Sequence, residues 1–128
     1  MKNTYSRALV LEQSAKVVTL KQAFEESHQI IDVRSQKEFL QGSIPGAVNV
    51  PLFNDDERDV IGTLYRHAGH TEAIDKGFEF AERRLSVLAE SFLSYKEKPL
   101  TIFCARGGMR SRSVANVLEY FGYEAYQL

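Results

Sequence analysis

"IIDVRSQKEFLQGSIPGAVNVPL", residues 30–52, carries two apolar runs with a short polar-apolar stretch and a glycine-rich turn between them. Gln29 to Val33 (QIIDV) reads as a strand. Ser35 followed by Glu38 has capping-box spacing, which predicts a short helix that carries Phe39 and Leu40 inward and stops at Gly42. "IPGAVNVP" is then a turn into a brief strand closed by Pro51, because proline has no N–H to give a ladder. Strand, helix and strand in alternation are the signature of an α/β domain with a largely parallel sheet.

The flanking sequence continues the alternation. Upstream, Lys16 to Thr19 (KVVT) reads as a strand, and Thr19 with Gln22 is a second capping-box pattern that opens a helix running to about Glu26. Downstream, "LFNDDERDVIGTLYRHAGH", residues 52–70, sets Asp55, Asp56, Glu57 and Asp59 among scattered apolar residues and reads mostly as loop. From Thr71 onward Ile74, Phe78, Ala81, Leu85, Leu88 and Phe92 recur at steps of four and three. That spacing predicts one long amphipathic helix ending before Pro99, with the stripe in the core. "LTIFC" reads as a buried strand. Val114, Val117, Leu118 and Phe121 mark a last helix with Gly122 at its C-terminal cap, and "EAYQL" is a final strand.

The chain as a whole fits one domain. Its 128 residues, 44% hydrophobic, suffice to bury roughly 65 to 70% of the surface exposed when unfolded. A single cysteine makes no internal disulfide, and no apolar run has the length of a signal peptide or membrane span, so a reducing, cytoplasmic setting is expected. With 16 basic and 17 acidic residues the net charge is −1, which gives no global signal for nucleic acid or membrane binding.

The local signal lies in "FCARGGMRSRS", residues 103–113, which holds the only cysteine, three arginines, two adjacent glycines and no acid. Cys104 falls where a strand ends and a loop runs into a helix. In open α/β sheets ligands bind there, because free backbone N–H groups and the positive end of the helix dipole converge. Gly107 and Gly108 allow the backbone to curl into an anion nest, and Arg106, Arg110 and Arg112 add positive charge around it. A free cysteine, with a pKa of about 8.5, is only slightly ionised at neutral pH, and this setting is expected to depress that value and activate the thiol. Otherwise Cys104 is one more small buried apolar residue.

Two thiol chemistries use such a loop. "CARGGMRS" fits the cysteine, five residues, arginine, serine signature of protein tyrosine phosphatases and related arsenate reductases, and it also resembles the persulfide-carrying loop of rhodanese-like sulfurtransferases. The segment from Ile30 to Leu52 resembles the rhodanese family's Asp-x-Arg, short helix and Gly-x-Ile-Pro-Gly-Ala-x-Asn block, with Ser43 where histidine usually stands. Within that family the chain resembles the N-terminal domain of the tRNA 2-selenouridine synthases. The carrying features are "GSIPGAVNVPLFNDDER", "VIGTLYRHAG", Ala73, Gly77, "CARGGMRS" and "GYEAYQL".

The resemblance implies a single rhodanese-like domain over residues 1–128, an N-terminal fragment of a longer protein whose nucleotide-binding domain is absent, since no phosphate-loop motif occurs here. It implies exchange of sulfur for selenium in 2-thiouridine of the tRNA anticodon, with Cys104 as the chalcogen carrier. Ala105, Arg106, Gly107, Gly108, Met109 and Arg110 would form the anion-binding loop. The implied donor is selenophosphate or a sulfur donor, and tRNA would be held through the absent C-terminal domain. No cofactor, metal or membrane partner is implied. A stand-alone thiosulfate-type sulfurtransferase, a cysteine-dependent phosphatase or arsenate reductase, and a non-catalytic module remain as alternatives.

The other polar residues have simpler readings. Asp32 and Arg34 are expected to hold the turn beneath the site, and Arg110 and Arg112 to be exposed, with Arg110 closing over the nest. His67 and His70 lack the partners of a metal site. His28 reads as a surface residue. Asp55, Asp56 and Asp59 read as solvated surface, although a phosphatase would need one of them as its general acid.

Overall fold

The computed structural model describes residues 10, 11, 13–105 and 108–128. Three of its helices start as the local hydrogen-bonding pattern dictates. Helix α1 (Leu20–Glu25) is capped reciprocally by Thr19 and Gln22. Strand β1 (Gln29–Asp32) leads to α2 (Gln36–Leu40), capped by Ser35 and Glu38, and then to β2 (Val48–Asn49). Helix α3 (Asp55–His67) begins at a third capping box, Asn54 with Glu57. Helices α4 (His70–Arg83) and α5 (Leu85–Leu93) precede β3 (Leu100–Phe103), which is followed by α6 (Met109–Tyr120) and β4 (Ala125–Gln127).

The strands form one parallel sheet in the order β2-β1-β3-β4. The expected α/β architecture with a parallel central sheet flanked by helices is therefore observed. In the centre, Ile31 pairs with Ile102 and Asp32 with Phe103. Ile31, Leu100 and Ile102 are fully buried and join Val33, Val50, Phe92, Val114 and Leu118 in the core. Because all strands run the same way, the ends of β1 and β3 lie side by side. Pairing continues past them, from Val33 N–H to the Phe103 carbonyl and from Val50 N–H to the Asp32 carbonyl. The turn after Asp32 and the loop after Phe103 thus share one edge of the sheet.

Several expectations are corrected. Residues 16–19 form no ladder strand, only an isolated bridge from Val17 to Gln127. Residues 55–67 are helix rather than loop. The acids in their first turn complement the helix dipole, and Arg66 does so in the last. The single long helix is two, broken at Arg84, whose Nε lies 3.0 Å from Glu57 Oε1 on α3. Leu40 is exposed rather than turned inward. Of the apolar stripe only Phe92 is buried. Leu85 is 45% exposed, and the stripe instead lines an open groove of about 1530 Å³ between α3–α5 and α6.

Candidate active site

Cys104 follows β3 directly and is half-buried, in contact with the core. Its sulfur sits over the start of α6. The Ser111 N–H donates to Sγ at 3.3 Å, and the Ser111 hydroxyl lies 3.2 Å from Sγ. Ser111 is in the first turn, where backbone N–H groups have no intrahelical acceptor, so the sulfur takes a donor that would otherwise be orphaned. The cysteine is held at the positive end of a 12-residue helix.

The rest of the loop is tied to its neighbours. Gly108 precedes α6 with φ +67°, in the left-handed region that suits glycine, and its N–H donates to the Ala105 carbonyl at 3.3 Å. Met109 is the first helical residue and is half-buried. Arg106 and Gly107, expected in the anion-binding loop, lie outside the described residues.

Arg110 departs from its expected exposure. Its side chain is 14% exposed, with Nη1 2.8 Å from Glu38 Oε1 and Nη2 3.2 Å from Glu38 Oε2, a two-pronged bond to α2. Glu38 is also the acceptor that closes its own helix cap, from Ser35 N–H at 3.1 Å, and Arg58 Nε lies 3.7 Å away. Burial pushes the Glu38 carboxyl up, but the Arg110 hydrogen bonds and charge, together with the Ser35 bonds, more than offset it and hold the group at about 2. Arg112 is half-buried, not exposed, and its buried Nε has no hydrogen-bond partner among the described residues.

Beneath the loop lies a second polar cluster. Asp32 is fully buried and receives Arg34 N–H at 3.0 Å, Arg34 Nη2 at 2.7 Å and the Ser43 hydroxyl at 2.6 Å. Arg34 also donates to the Gly42 carbonyl at 2.6 Å, and its guanidinium lies over the Phe103 ring. The hydrogen bond to Asp32 is the main cause of the raised Arg34 pKa. The pair holds the turn against the residue that precedes Cys104, and Ser43 closes it.

Among the described residues none of the remaining candidates is hydrogen-bonded to Cys104, although His70 lines the same groove. His70 Nε2 is 2.6 Å from the Tyr65 hydroxyl, while His67 ends α3. Asp55 accepts the Lys37 N–H at 2.9 Å, and Asp56 and Asp59 are exposed. His28 is buried, contrary to its reading as a surface residue. Its Nδ1 is 2.8 Å from Thr101 Oγ1 and its ring stacks on Tyr126.

Two residues of the site carry no signal in the loop motif itself. Gln127 of β4 donates through Nε2 to the Gly108 carbonyl at 2.9 Å and to Ser111 Oγ at 3.0 Å. Glu38 was legible as a helix cap but not as the partner of Arg110, because the two are 72 residues apart in the chain.

Comparison with known proteins places this geometry. The tRNA 2-selenouridine synthase of Bdellovibrio bacteriovorus is 39% identical over 110 residues, covering 82% of this chain and 28% of that protein. The enzyme of the same name from Proteus mirabilis is 32% identical over 119 residues, covering 89% and 32%. The chain thus spans about a third or less of the curated relatives it matches. The crystal structure of the N-terminal domain of a putative ATP/GTP binding protein from Clostridium difficile 630 superposes with a TM-score of 0.83 at 34% identity, covering 88% of this chain and 90% of that one. The family profile for the rhodanese-like domain matches residues 16–128, which include all four strands of the sheet and the whole cysteine loop, and the chain belongs to the rhodanese-like domain family.

Proposed function

We propose that this domain carries a chalcogen on Cys104 and serves the exchange of sulfur for selenium in 2-thiouridine of tRNA, as the names of its relatives suggest. The observation that carries the reading is the seat of Sγ at the N-terminus of α6, in reach of the Ser111 N–H and hydroxyl. An anionic sulfur is favoured there by the dipole and by a donor aimed at it. In this reading the chain is one rhodanese-like unit of a longer cytoplasmic enzyme. Selenophosphate or a sulfur compound is the donor, and tRNA is held by the part of the relatives that this chain does not span. Residues 105–110 form the loop that surrounds the bound chalcogen, which needs no cofactor of its own.

With thiosulfate as donor the chemistry is closed. The Cys104 thiolate attacks the outer sulfur, an S–S bond forms to give Cys104–S–S⁻, and the S–S bond of thiosulfate breaks to release sulfite with the electron pair. The test is intact mass after incubation with thiosulfate or a small persulfide donor. One added sulfur is expected on the wild-type chain and none on Cys104→Ser. Failure of the wild-type chain to gain sulfur from any of several donors, or robust hydrolysis of an aryl phosphate in its place, would overturn the reading.

A further inference from the structure

Gln127 lies on β4, and its backbone is fixed from both sides. Its N–H donates to the Lys16 carbonyl at 2.7 Å, its carbonyl accepts from Val18 N–H at 3.0 Å, and it is in register with Ile102. The side chain therefore leaves a rigid base. Its amide donates to two acceptors, the Gly108 carbonyl at 2.9 Å and Ser111 Oγ at 3.0 Å. The approach needs glycine at 108, since a Cβ there would stand 2.7 Å from Gln127 Nε2.

The Ser111 hydroxyl has one proton and two possible acceptors. It is 3.1 Å from the Gly108 carbonyl and 3.2 Å from Cys104 Sγ. While Cys104 is a thiol, its S–H can donate to Ser111 Oγ and the hydroxyl can donate to Gly108. When the sulfur is an anion it needs that proton, and the hydroxyl must turn away from the carbonyl. That carbonyl has two lone pairs and already accepts the Arg112 N–H of α6 at 2.9 Å, so only one position is left for the Ser111 hydroxyl, which is 2% exposed and has little water to turn to. Gln127 already donates to that carbonyl.

We propose that Gln127 is a positioning residue for Cys104: by holding the Gly108 carbonyl and the Ser111 oxygen together, it frees the Ser111 hydroxyl to serve the sulfur anion. The inference rests on the reading of Cys104 as the reactive sulfur, and it concerns how the anion is supplied with donors.

Alkylation of Cys104 by iodoacetamide as a function of pH tests it in the wild-type chain and in Gln127→Met, Gln127→Glu, Ser111→Ala and the double variant Ser111→Ala/Gln127→Met. The substitutions leave the backbone bonds of β4 in place. Gln127→Met is expected to slow alkylation about five-fold near neutral pH and to reach the wild-type plateau at high pH, where the sulfur is ionised regardless. Gln127→Glu, which adds a negative charge and removes both donors, is expected to slow it more. The double variant should match Ser111→Ala, because Gln127 acts through Ser111. A pH profile unchanged by Gln127→Met overturns the proposal, as does faster alkylation from a loosened loop, or a Gln127 effect that persists without Ser111. The assay needs no sulfur donor, so a wild-type chain that takes up no sulfur refutes the functional reading and leaves this test standing.

Discussion

Glu38 links three helices beside the site. One carboxylate completes the cap of α2, receives both prongs of Arg110 and lies near Arg58. Arg110 is thereby anchored across the cleft between α2 and α6 instead of standing free over the loop. The arrangement has a pH signature. The carboxyl is held at about 2 in the folded chain against an ordinary 4.5, so its contribution to stability is complete above that ordinary value and is withdrawn as pH falls from there toward 2. Melting temperature measured from neutral pH down to about pH 2 should fall more steeply through the acid range for the wild-type chain than for Glu38→Gln. At neutral pH the variant should be the less stable of the two, since it leaves the Arg110 guanidinium partly buried without its counter-charge. Parallel curves would mean that the pair contributes nothing to folding.

At the scale of elements, what was legible in the sequence was what neighbours three residues apart decide. The caps of α1 and α2 follow from Thr19 with Gln22 and Ser35 with Glu38, and both form with reciprocal bonds. The same spacing in Asn54 and Glu57 was the available signal for α3, obscured by a run of acids that resembles a loop until its place in the first helical turn is recognised. Asn54→Ala should therefore cost about 1 kcal/mol in denaturant unfolding, with no change in the denaturant slope. A neutral result would mean that packing against α4 alone fixes the start of α3. What periodicity could not show is contact between distant elements. Arg84, where the long helix breaks, pairs with Glu57 of another helix. His28 is buried because Thr101 and Tyr126 reach it from β3 and β4. Gln127 reaches the cysteine loop only because β4 is laid beside β3.

For the whole molecule, the parallel sheet and the helices on it divide the apolar residues into two populations that a helical stripe cannot distinguish. Ile102, between β1 and β4, has no exposed surface and packs on all sides, whereas Leu85 is 45% exposed on the wall of the groove beside α6. Both are large aliphatic residues at periodic positions, and a core assignment by pattern treats them alike. Truncation separates them physically. Removing buried methyls leaves a cavity that a close-packed sheet cannot collapse, so Ile102→Ala should cost about 2–5 kcal/mol. That is a large part of the stability of a domain this size, typically about 5–15 kcal/mol. Leu85→Ala removes side-chain surface that is already partly in water and should cost no more than about 1 kcal/mol. Urea unfolding of the two variants, compared at equal slope, decides the matter. A loss from Leu85→Ala as large as that from Ile102→Ala would mean that α5 closes onto α6 in solution, and that the groove beside Cys104 is filled by the molecule's own side chains.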